Sequence, residues 1–135
     1  MTRINVGIAP LELCDQMLLA ELRELPRCYS HRTDAGPAEF TLGKGHVLWC
    51  SRHQTSLAFR HMDLWMESVF RGFQVAPLRT DEKNAGRWEA IVTVRARPML
   101  IERIALRVSQ MVRAPKWTKR ARPDWCPAED SACVP

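Results

Sequence analysis

Three stretches of the chain carry apolar residues at the three-and-four spacing of an amphipathic helix. The first runs from Leu11 to Arg27 (LELCDQMLLAELRELPR). Wound at about 100° per residue, Leu11, Cys14, Leu18, Leu22 and Leu25 fall within roughly 80° of one another and form a core stripe. Gln16, Arg23 and Arg27 lie on the opposite side, with Glu24 about one residue step round. Pro26 marks the end. The second helix is predicted to start between Gln54 and Ser56 and to bury Phe59, Met62, Met66, Val69 or Phe70, and Phe73, with Trp65 beside them. Gly72 terminates it. The third begins near Pro98, buries Ile101, Ile104, Ala105, Val108, Met111 and Val112, and is stopped by Pro115.

The connections are less regular. Residues 28–45 read as a loop broken by Gly36-Pro37 and by Gly43 and Gly45. Residues 74–97 read as irregular chain or short helix, because Ala90 to Val94 has strand propensity but no partner strand. The methionine and aromatic stripe of the second helix reads as core rather than as a cofactor pocket. The pattern therefore predicts an all-α fold, a single compact domain over 1–135 of three main helices with long irregular connections. Everything after Pro123 reads as a flexible tail (124–135).

Charge narrows the partner. The formal charge is +5 and the isoelectric point about 9.3, which favours a polyanion or an anionic surface. Arg113, Lys116, Lys119, Arg120 and Arg122 follow the third helix, interleaved with Trp117 and Trp125. Cations mixed with indoles suit backbone contact plus base stacking, and equally a solvated segment with Trp117 packed on the helices. No apolar run approaches the roughly 20 residues of a membrane span, and no signal peptide is evident, so no membrane partner and a cytoplasmic location are expected. Five cysteines, none in a C-x-x-C pair, suggest reduced thiols. His46, Cys50, His53 and His61 fit no zinc spacing, so neither metal nor cofactor is expected.

One candidate nucleophile lies at the chain start. A small residue at position 2 permits removal of Met1, leaving the α-amine of Thr2. Such an amine has a pKa near 8, against about 10.4 for lysine, and nearby cations such as Arg3, Arg23 and Arg27 would lower it further. A neutral amine can form a Schiff base. On its own this signal is common to every protein.

MTRIN at the start, Asp15-Gln16, and LLAELRELPR over 18–27 resemble the phage endonuclease V family of pyrimidine-dimer DNA glycosylases. So do LGKGHV over 42–47, Arg71-Gly72-Phe73, and Pro115-Lys116-Trp117 followed by Lys119. The resemblance implies an all-helical DNA repair enzyme. Its N-terminal amine attacks the sugar carbon of the damaged nucleotide, and a glutamate on the first helix completes the reaction. Carried over, these are Thr2 and Glu24. Arg3, Gln16, Arg23, Arg27, Arg107, Trp117 and Lys119 are the DNA-binding candidates, and double-stranded damaged DNA the partner of a monomer. The implied chemistry is excision of the 5′ base of a cyclobutane dimer, then nicking by β-elimination. The chain departs from the family pattern at Met17, where a histidine is usual, and in a short, weakly basic 28–45 loop. Alternatives are a lyase of the same chemistry for abasic sites or oxidised purines, and a non-catalytic DNA-binding protein.

Overall fold

A computed structural model describes residues 4–30, 54–78 and 97–126. Among them are three α-helices and no strand: α1 (Asp15–Glu24), α2 (Gln54–Phe70) and α3 (Arg97–Ser109). Two 3-10 segments, Pro10–Glu12 and Leu25–Ser30, flank α1. The all-α expectation holds among the described residues; α2 and α3 start where the sequence signals put them, whereas α1 starts at Asp15 rather than at Leu11.

Each helix end has a local cause. Pro10 opens the first 3-10 turn, where its missing N–H costs nothing, and Glu12 reaches back to the Ala9 N–H at 2.9 Å. No side chain caps α1 at Cys14. Instead the Asp15 N–H donates to the Lys116 carbonyl at 2.6 Å, so a distant segment satisfies an orphan donor of the first turn. At Leu25, one residue before Pro26, the α-helix gives way to 3-10 chain rather than stopping outright. Helix α2 ends at Gly72, whose φ of 92° belongs to the left-handed region that glycine occupies without strain. The Phe73 N–H donates to Ser68 O at 3.1 Å and the Gly72 N–H to Val69 O at 3.0 Å, the paired closure of a Schellman motif.

The core joins all three helices and the chain start. Ile4, Ile8, Leu13, Leu18, Leu25, Leu57, Leu64, Leu100 and Ile104 are fully or almost fully buried. Each such side chain contributes roughly 1.5–3 kcal/mol relative to exposure. Leu11 is an exception to the predicted stripe, at 47% exposed. It lies in the 3-10 turn rather than in α1, so the helical phase does not extend back to it.

The stripe assigned to the core of α2 faces outward: Phe59, Met66, Val69 and Phe70 are 47–56% exposed. The inward face, on roughly the opposite side, carries Leu57, Arg60, His61, Leu64, Glu67, Ser68 and Arg71. Charged residues can occupy it because each finds a partner: Arg60 with Glu21 at 2.7 Å, and Arg71 with Asp15 at 2.9 Å and Glu67 at 2.8 Å. At the end of α3, Val112 is fully exposed, because the helix closes at Ser109 and the chain leaves the helical phase. Leu100, Ile104 and Val108 form the buried face, with Ile101 and Met111 packed beside it.

Residues 110–126 have no helix but are firmly tied. Gln16 clamps them, Nε2 donating to Ala114 O at 3.0 Å and Oε1 accepting from Lys116 N at 3.4 Å. Asp15 accepts from the Thr118 N–H at 3.0 Å and from its hydroxyl. Arg120 pairs with Glu67 at 2.8 Å. Burial alone would raise the Glu67 carboxyl, but hydrogen bonds from Arg120 and Arg71 outweigh it and hold it below the usual carboxylate range. Trp125 donates to Glu12 Oε1 at 3.2 Å and Cys126 is buried, whereas a solvated tail was expected from residue 124. Thr2, Arg3, His46 and the 90–94 segment lie outside the described residues, as do 127–135.

Candidate active site

Helix α1 forms a ridge between two cavities. Its core stripe points inward, and the two flanks of the helix open on different sides. On one side Gln16, Met17, Ala20, Glu21 and Glu24 line a groove of about 340 Å³. Asn5 from the chain start and Arg107 and Met111 from the end of α3 complete it. On the other side Leu19, Leu22, Arg23 and Pro26 face His61, Trp65 and residues 74–77 around a cavity of about 510 Å³. Burial pushes the His61 imidazole below its ordinary value, so its neutral form dominates at pH 7. The Trp65 indole N–H closes that side on Ala76 O at 2.8 Å.

The predicted site residues are therefore divided. Glu24, half-buried, Gln16, and the exposed Arg107 come together as lining of the smaller groove. Arg23 is exposed on the rim of the other cavity, and Arg27 is exposed in the 3-10 chain beyond the helix. The Gln16 amide is engaged at both ends by backbone of the 114–116 segment. Trp117 is half-buried: its indole N–H donates to Glu12 O at 2.9 Å, and Arg122 lies 5.1 Å from its ring centre. This is the packed alternative for that indole. Lys119 is exposed, with Nζ 3.1 Å from Phe70 O at the C-terminus of α2, where a cation meets the negative end of the helix. Neither residue lines either cavity.

The buried floor of the groove was missed from sequence. Glu21 is 1% exposed. Its Oε1 accepts from Asn5 Nδ2 at 3.0 Å and from Arg60 Nη2 at 3.0 Å, and its Oε2 accepts from Arg60 Nε at 2.7 Å. Arg60 also donates to Ile8 O. Asn5 Oδ1 in turn accepts from Arg103 at 2.7 Å. A signal was available: on the helical wheel Glu21 falls roughly 20° beyond Cys14, at the edge of the apolar stripe, and a carboxylate there needs a partner.

Asp15-Gln16, Arg71-Gly72 and the 115–119 segment meet in space: Arg71 binds Asp15, Asp15 and Gln16 bind residues 116 and 114, and Lys119 reaches over Gly72 to Phe70. They are one latch.

A basic chain, helical throughout its described residues, with a carboxylate and a guanidinium lining one groove and more cations outside it, has the charge expected of a small helical protein that meets a polyanion. A family model described as pyrimidine dimer DNA glycosylase matches residues 1–81, more than half of the 135-residue chain. The chain belongs to that family. It is a DNA repair glycosylase, and damaged DNA is its partner. The match contains Asn5, all of α1 and all of α2; the segment that the latch draws in from 114–120 lies beyond it. No described helix is long and apolar enough to cross a membrane.

Proposed function

We infer that the protein excises the 5′ base of a cyclobutane pyrimidine dimer and then nicks the strand, with the α-amine of Thr2 as nucleophile and Glu24 as the acid–base residue. The observation that carries this reading is that Asn5 and Glu24 line one groove. Thr2 is three residues before Asn5, so covalent reach alone keeps their Cα atoms within about 11 Å.

The amine nitrogen bonds to C1′ of the sugar, the glycosidic bond breaks, and the base leaves with the bonding electrons and takes up a proton. Opening of the C1′–O4′ bond, with a proton passing to O4′, gives the imine. Glu24 stabilises the cationic sugar and iminium, then removes a C2′ proton, and the electrons expel the 3′ phosphate. Arg3, Arg23, Arg27 and Arg107 neutralise phosphates on both sides of the α1 ridge, while Gln16, Trp117 and Lys119 hold or extend the basic segment against the duplex. The lesion strand must distort for the amine to reach C1′, which favours damaged over intact duplex. The protein works as a monomer on double-stranded DNA.

Borohydride trapping tests this on duplexes bearing a cyclobutane dimer or an abasic site. A covalent adduct on residue 2 is expected with both. An adduct mapped to a lysine would overturn the nucleophile. Trapping on the abasic duplex alone would favour an abasic-site lyase of the same chemistry.

A further inference from the structure

The nucleophile in the reading above is a main-chain amine, so it has no side-chain torsions with which to find its target. Its position depends on how the residues just after it are held. Ile4 is fully buried and Asn5 is 2% exposed. The Asn5 side chain spans two helices: Nδ2 donates to Glu21 of α1 at 3.0 Å, and Oδ1 accepts from Arg103 of α3 at 2.7 Å. Arg103 also donates to Ile4 O at 3.3 Å. Behind Glu21, Arg60 of α2 closes a two-point pair and ties down Ile8 O.

Glu21 and Glu24 are three residues apart on α1, and Arg103 and Arg107 are four apart on α3, so each pair shares a helix flank. One pair, Glu21 and Arg103, grips Asn5; the other, Glu24 and Arg107, lines the groove one turn away. Ile4 and Asn5 are thus bolted to the same helix faces that carry Glu24 and Arg107. A buried ion pair such as Glu21–Arg60 is a weak source of stability, since apolar residues of equal volume often do as well. What it supplies is a fixed carboxylate.

Resting on the nucleophile assigned above, we propose that Asn5, Glu21 and Arg103 are positioning residues that set the distance between the residue-2 amine and Glu24. They act through the backbone of Ile4 and Asn5 and do not touch the DNA.

Asn5→Ala is the primary test, because it cuts the link while leaving the Glu21–Arg60 pair whole. Arg103→Met, on the partly exposed side of the same amide, is the second variant should the first fail to fold. Three quantities are measured against the parent: affinity for a duplex bearing a non-reactive abasic analogue, single-turnover imine formation on an abasic duplex trapped with borohydride, and reductive labelling of the residue-2 amine by a small free aldehyde. Positioning predicts affinity within about threefold of the parent and imine formation on DNA down by about a hundredfold, the scale for misplacing a reacting group by an ångström. Labelling by the free aldehyde should be unchanged, since that reaction needs no alignment. If imine formation on DNA keeps the parent rate, or falls only in parallel with affinity or with free-aldehyde labelling, the proposal is overturned. A parent protein that traps DNA through a lysine defeats the nucleophile assignment itself, which is a separate and recognisable result.

Discussion

Glu21 and Glu24 show how position decides the use of one residue type. Both lie on α1 and both line the groove. Glu21 is sealed beneath it with its oxygens occupied by Arg60 and Asn5. Glu24, half-buried one turn on, stands where a substrate can meet it. A carboxylate facing a polyanion opposes binding, so its value arises when positive charge develops on the sugar. Glu24→Gln keeps the size and loses the charge. Binding of dimer-containing DNA should be equal or tighter, and single-turnover cleavage should fall by at least about a hundredfold. Gel shift and cleavage on one ultraviolet-damaged duplex measure both, and near-parental cleavage would remove Glu24 from the reaction.

At the scale of elements, α2 departs from the hydrophobic pattern. Its buried face alternates leucines with Arg60, Glu67 and Arg71, while an equally regular stripe of Phe59, Met66, Val69 and Phe70 is half exposed. Leu64→Ala should therefore cost about 2–5 kcal/mol on chemical denaturation. Met66→Gln should change stability by no more than about 0.5 kcal/mol. The reverse ranking would restore the sequence-derived face.

The tie between the first 3-10 turn and α3 should respond to acid. Hydrogen bonds from Arg97, at 2.8 and 3.1 Å, hold the Glu12 carboxyl down at about 2, against an ordinary 4.5; burial opposes them, and Trp125 and the Ala9 N–H assist. A depressed carboxylate contributes stability above its unfolded pKa and loses it as pH falls through the folded one. The contribution of this pair is thus complete above about pH 4.5 and fades from there towards pH 2. Arg97 is 39% exposed, so solvent screening reduces the effect to the order of 1 kcal/mol. In Glu12→Gln, the slope of stability against pH over that window should flatten. An unchanged slope would place the acid sensitivity elsewhere.

For the whole molecule, the α1 ridge sets Arg23 beside one cavity and Arg107 beside the other. If the duplex straddles the ridge, each meets a phosphate. Arg23→Ala and Arg107→Ala should each weaken binding and reduce the slope of log affinity against log salt by about one. Melting temperatures should barely move, because exposed charges add little to stability. A variant that loses stability while keeping its salt slope would assign that arginine to the fold rather than to DNA.

What the chain alone determined follows from local rules. Helix existence and ends depend on neighbours within a turn or two, so Pro98, Gly72 and the three-and-four spacing announced α1, α2 and α3. The motif residues pointed to the family, and Glu24 and Arg107 were candidates before the groove was visible. Only the tertiary structure decided which face of α2 turns inward, that the floor of the groove is Glu21 with Asn5, and that the cations split across a ridge. Burial of Arg60 depends on Glu21, 39 residues away, and that of Arg71 on Asp15, 56 residues away. A periodicity records how greasy a position is. It does not record whether a charge there will meet its counter-charge across the core, and that meeting is what lets a charged residue take an inward position.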